Sequence, residues 1–76
     1  MTDTIPTTSI RDEYIELFKL IKRENMAASG GEAKFFISEG MVRVNGEVET
    51  RKRRKTVAGD IVECNGEQVQ VVGPTP

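Results

Sequence analysis

Five consecutive cations, Arg51, Lys52, Arg53, Arg54 and Lys55, are the residues of this chain best suited to chemistry. Guanidinium and ammonium groups at that density bind phosphate oxygens, arginine through a bidentate fork. The run lies in a 76-residue chain whose formal net charge is only −1. Between residues 34 and 55, seven cations face three anions; the rest of the chain carries four cations against nine anions. A chain that stays acidic elsewhere and gathers cations in one segment presents either a phosphate-binding face or a solvated basic loop. Lys34 and Arg43 are the further cations that the same surface could recruit. Ser29, Gly30 and Gly31 add backbone amides at an expected helix N-terminus, where the helix dipole favours an anion. Those amides are either open to phosphate or already satisfied by the Ser29 and Glu32 side chains.

Other chemistry is poorly provided for. Histidine is absent, which removes the commonest general base and metal ligand. Cys64 is the only cysteine and reads as a small apolar strand residue. There is no Ser/His/Asp set, no nucleotide-binding glycine loop and no cluster of metal ligands, so neither catalytic residues nor a cofactor or metal is expected. Hydrophobic content of 37% and charged content of 30% suit one small folded domain. Such a chain buries roughly 60% of the surface it exposes when unfolded, and its core is small. No apolar run approaches the roughly 20 residues of a membrane span, and no signal peptide is visible at Met1. A cytoplasmic monomer with no membrane partner is the expectation.

The elements that must position the cations follow from periodicity. Tyr14, Leu17, Phe18 and Ile21 share one face of a helix. Alternatively, residues 14–17 form a short strand leading into a helix of about two turns. Asn25 is a plausible stop. Ser29 and Glu32 form a capping box, each side chain reaching the other's backbone amide. The helix they open carries Ala33, Phe36 and Ile37 on one face and ends at Gly40. Phe35 points away from that face and is expected to be buried on a second side. The remaining aromatics fall mostly on core positions, which argues against a base-stacking platform.

Beyond Gly40 the period becomes two. Asn45-Gly46 and Asn65-Gly66 each mark a hairpin. For the first, a three-residue loop pairing Val42 with Val48 is preferred over a two-residue loop pairing Arg43 with Val48. For the second, a two-residue turn sets Val62 opposite Val69. The expected fold is α+β: two short helices packed on a small, mostly antiparallel sheet of two hairpins. Residues 1–12 are expected to be a mobile tail, 13–72 the domain, and 73–76 a frayed end.

Taken together, Ser29-Gly30-Gly31-Glu32-Ala33-Lys34, Ile37, Gly40, Val42-Arg43-Val44-Asn45-Gly46 and Gly59-Asp60-Ile61-Val62 resemble the RNA-binding domain named after small-subunit ribosomal protein S-four. The free-standing bacterial proteins of that family are the nearest in pattern. The resemblance covers roughly residues 13–72. It implies an αL motif, two helices packed on a small sheet, preceded by a short strand at 14–17. It also implies a non-catalytic protein that binds structured RNA of the ribosomal or transfer class through Lys34, Arg43, Arg51, Arg53 and Lys55, with Lys52 and Arg54 as neighbours. One departure is Gly30, where many members of the wider family carry an arginine. The competing expectation is a protein-interaction module whose cations dock an acidic partner, with Phe35 as an anchor.

Overall fold

A computed structural model describes residues 5–73. The chain runs β1 (Thr7–Ser9), β2 (Ile15–Glu16), α1 (Leu17–Arg23), α2 (Gly30–Ser38), β3 (Val42–Val44), β4 (Glu47–Val48), β5 (Lys55–Thr56), β6 (Ile61–Cys64) and β7 (Glu67–Val72). Five strands form a sheet in the order β1-β7-β6-β3-β4, and β2 pairs with β5 in a separate two-stranded ribbon. Every pairing is antiparallel except that of β1 with β7. The α+β expectation holds.

Both helices end in the same way, and the residues just beyond them explain why. Asn25 and Gly40 adopt positive φ (60° and 75°), the conformation that stops a helix. In α1 the Met26 amide donates to the Ile21 carbonyl and Asn25 to Lys22; in α2 Met41 donates to Phe36 and Gly40 to Ile37. Each pair satisfies carbonyls that the helix would otherwise leave open. The sharp reversal after Asn25 turns Met26 and Ala27 into the core before α2 begins.

One core joins the two layers. Leu17, Leu20 and Ile21 of α1 and Ala33 and Ile37 of α2 meet Val42, Val44, Val62, Cys64, Val69 and Val71 of the sheet. Strand alternation sends these sheet residues to the covered side and leaves Arg43 and its partner Glu63 on the other. Val62 lies opposite Val69, as the second Asn-Gly turn requires. No helix among the described residues is long and apolar enough to cross a membrane.

Three expectations need correction. First, the segment read as a tail is partly built into the sheet: Thr7, Thr8 and Ser9 align with Gln70, Val71 and Val72, and Ile10 is buried. The composition was misleading because β1 is an edge strand whose attachment comes from backbone hydrogen bonds and from Arg23, which donates to Thr8 Oγ1 (2.7 Å) and the Ser9 carbonyl (3.0 Å). The ends of both terminal segments, residues 1–4 and 74–76, lie outside the described residues. Second, the first hairpin takes the two-residue loop, with Arg43 opposite Val48 and both Asn45 and Gly46 at positive φ. Burial does not set this register, because Val48 is 53% exposed on a two-residue edge strand. The turn chemistry decides instead. Third, Phe35 is 56% exposed, not buried.

If β1 and Ile10 belong to the fold, Ile10→Ala should lower unfolding free energy by about 2–5 kcal/mol, as for other buried isoleucines. Urea titration checks this. A change below about 0.5 kcal/mol, the size of an ordinary surface substitution, would return the segment to the status of a tail.

Candidate nucleic-acid interface

The basic loop is held by its backbone. Helix α1 has no side-chain cap at Glu16, so its first amides need other acceptors. The Leu17 amide donates to the Arg54 carbonyl (3.0 Å) and the Phe18 amide to the Lys52 carbonyl (3.0 Å). Pairing of Glu16 with Lys55 and Ile15 with Thr56 extends this attachment. Thr56 is buried, and the loop is thereby fixed at both β5 and the helix start.

The side chains of the loop divide into two sets. Arg51 and Arg54 turn toward carboxylates. Arg51 makes a bidentate pair with Glu49 (2.9 and 3.1 Å). Arg54, only 24% exposed, reaches Glu49 at 3.0 Å and Asp60 at 3.1 Å. Asp60 also accepts from the Val57 amide (3.0 Å) and from Asn45 Nδ2 (2.9 Å). Arg54 therefore cross-links the loop to the strand-β6 turn. Lys52 and Lys55 are exposed and make no ion pair among the described residues. Arg53 has a longer contact to Glu16 (3.4 Å) with its side chain 65% exposed.

Aromatic rings gather the outward cations. Lys34 Nζ lies 4.7 Å from the centroid of Phe18, Arg53 Cζ lies 5.8 Å away, and Lys19 Nζ lies 5.9 Å away. Lys55 Nζ is 5.0 Å from the centroid of Tyr14. Cation–π attraction holds each head near the ring while leaving its N–H groups free to donate. Arg51, Arg53, Arg54 and Lys55 line an open concavity of about 490 Å³.

The predicted residues are thus only partly assembled. Lys34 from α2 and Arg53 from the loop meet at Phe18, with Lys55 nearby on the ribbon. Arg43 does not join them: it stands on the outer side of the sheet, opposite Glu63 and Val48. At the start of α2, the Glu32 amide donates to Ser29 Oγ (3.1 Å) as expected. The return bond differs, because Glu32 Oε1 accepts from Ala28 rather than Ser29 (2.8 Å). A Cβ at Gly30 would meet nothing within 4 Å, so packing does not demand glycine there. Sequence reasoning missed Lys19, Tyr14 and Phe18. Phe18 occupied a helix-face position and was read as core, yet it is only partly buried and offers a ring to three cations. Tyr14 is 42% exposed, which reverses the expectation that aromatics sit mainly in the core.

Two helices joined by a tight corner, backed by this sheet and carrying cations at the helix–loop junction, define a recognisable class. The chain belongs to the S4 domain family, whose model matches residues 8–72. Among its relatives is YbcJ of Escherichia coli (strain K12), named as a candidate RNA-binding protein, 52% identical over 59 residues that cover 78% of this chain and 84% of YbcJ. RlbA of Bacillus subtilis (strain 168), named for a probable role in ribosome maturation, is 45% identical over 58 residues, covering 76% of this chain and 82% of RlbA. The solution structure of E. coli YbcJ, described as revealing an αL motif involved in RNA binding, superposes with a TM-score of 0.70 at 45% identity, covering 95% of this chain and 92% of that one.

The carboxylates that steady the loop also set its acid sensitivity. The Arg51 side chain beside Glu49 lowers its pKa from the ordinary 4.5 to about 2. Burial pushes Asp60 upward, but hydrogen bonds from Val57, Asn45 and Arg54 outweigh it and the net shift is downward. A depressed folded pKa means that the ionised form favours the fold. The stabilisation from Glu49 is complete above 4.5 and is lost as pH falls toward about 2. Glu49→Gln should flatten the fall of melting temperature over that acid window, and an unchanged slope would dissociate the pair from stability.

Proposed function

We propose that this chain is a non-catalytic binder of structured RNA, of the ribosomal or transfer class. It would use the face formed by Lys34, Lys52, Arg53 and Lys55, with the exposed start of α2 at Ser29, Gly30 and Gly31 one turn before Lys34. The observation that carries this reading is the meeting of Lys34 and Arg53, nineteen positions apart in sequence, on the ring of Phe18. Lys34 makes no ion pair among the described residues and Arg53 shares the single carboxylate of Glu16 with Lys19, so cations outnumber anions at this ring and a polyanion relieves their repulsion. The names of the E. coli and B. subtilis relatives support the same conclusion.

Phosphate contacts fix register and orientation, while the shape of the RNA selects it. Arg51 and Arg54 have a different part here. They hold the loop to Glu49 and Asp60, so that Lys52, Arg53 and Lys55 face outward. Arg43, on the far side of the sheet, is assigned no direct part. A second reading, docking on an acidic protein surface, is favoured by the exposed ring of Phe35. Ribonuclease treatment before a pull-down from lysate separates the two, since partners held through RNA are lost.

Simultaneous replacement of Lys34, Lys52 and Lys55 by alanine should weaken binding to a structured RNA hairpin and reduce the log–log salt slope by about 3, the value for three phosphate contacts on a duplex. Urea unfolding should change little. Binding titrations from low to moderate salt check this, and an unaltered slope would remove these lysines from the interface.

A further inference from the structure

We infer that the hollow beside Tyr14 seats a single unpaired guanine of the bound RNA, an assignment that rests on the RNA-binding reading above. The hollow measures about 310 Å³ and is lined by Asp12, Tyr14, Ile15, Glu16 and Lys19. That is near the lower bound of small-ligand pockets. Both of its flanks are anchored: Ile10 is buried on one side, and Ile15 and Glu16 pair with Thr56 and Lys55 on the other. The Tyr14 ring, 42% exposed, is therefore held at the border of the basic loop, with the Lys55 ammonium 5.0 Å from its centroid. A phosphate drawn to Lys55 brings its own base within reach of that ring.

The charges lining the hollow select what enters. Asp12 is the one lining carboxylate without a cationic partner among the described residues, and it disfavours a phosphate of the RNA backbone there. Glu16 is already engaged by Lys19 (3.1 Å) and Arg53 (3.4 Å). Asp12 makes no ion pair among the described residues and remains an acceptor. An acceptor-only carboxylate requires a donor edge. Guanine presents two adjacent donors, N1–H and the N2 amino group, that match the two carboxylate oxygens; the other bases present one donor group there. Inside a duplex those donors are paired, so the guanine must be unpaired, stacked on Tyr14 and read on its Watson–Crick edge.

The test uses the full chain and five RNA hairpins that differ only in a single-nucleotide bulge: guanosine, adenosine, cytidine, uridine or none. The guanosine-bulged hairpin should bind about tenfold more tightly than the fully paired one, the effect of one base–aromatic stack. Tyr14→Leu should abolish that advantage, and any affinity lost because the ring no longer holds Lys55 should fall equally on all five hairpins. Asp12→Asn should keep the advantage of a bulge while erasing the preference for guanosine. Equal binding of all five hairpins, with affinity still lost on replacing Lys52 and Lys55, would overturn the guanine site alone. A guanosine preference that survives Tyr14→Leu would overturn it too. Failure of every hairpin to bind would overturn the RNA-binding reading with it.

Discussion

The unfilled start of helix α1 is the constraint on which the rest of this structure depends. A seven-residue helix with no side-chain cap leaves its leading amides without acceptors. Here the carbonyls of Lys52 and Arg54 supply them. That exchange joins a segment late in the chain to an element near its beginning, and it fixes the one stretch that electrostatics would otherwise drive apart. Five adjacent positive charges favour an expanded loop. Backbone hydrogen bonds to a rigid helix, with the β2–β5 ribbon continuing them, impose a compact one.

Two of the three loop arginines and the surface lysines do different work, with Arg53 siding with the lysines. The planar guanidinium suits a fixed fork geometry with carboxylates, and Arg51 and Arg54 use it on Glu49 and Asp60. Lysine ammonium groups are compact and strongly hydrated, and Lys34, Lys52 and Lys55 remain at the surface, two of them beside aromatic rings. A count of charge cannot separate these roles. What separates them is whether an acceptor lies within reach once the chain has folded.

The helical corner and the second hairpin were legible because their signals are local. Ser29 lies three residues before Glu32, Asn25 and Gly40 stop helices through their own backbone preference, and Asn65-Gly66 dictates a register that also buries Val62 and Val69. The first hairpin was misjudged because burial was given priority over turn geometry at Val48, a residue on an edge with nothing to cover it. The role of β1 was illegible because three hydroxyl residues carry no periodic signal; a long-range backbone pairing created the strand. For the candidate interface, the cations themselves could be named. Their division was hidden, since it depends on how the folded loop turns Arg51 and Arg54 back onto the flanking Glu49 and Asp60, and on Glu16 arriving from far along the chain.

The attachment of β1 changes which edge the sheet presents to solvent. Strand β7 is the longest strand among the described residues, and it carries Val69, Val71 and Val72. Left bare, its outer row of amides and carbonyls would be a template for another chain. Thr7, Thr8 and Ser9 occupy that row and present a hydroxyl-bearing border in its place. A short segment with no apolar side chain thus replaces half of the β7 edge, from Gln70 to Val72, with a shorter and more polar one.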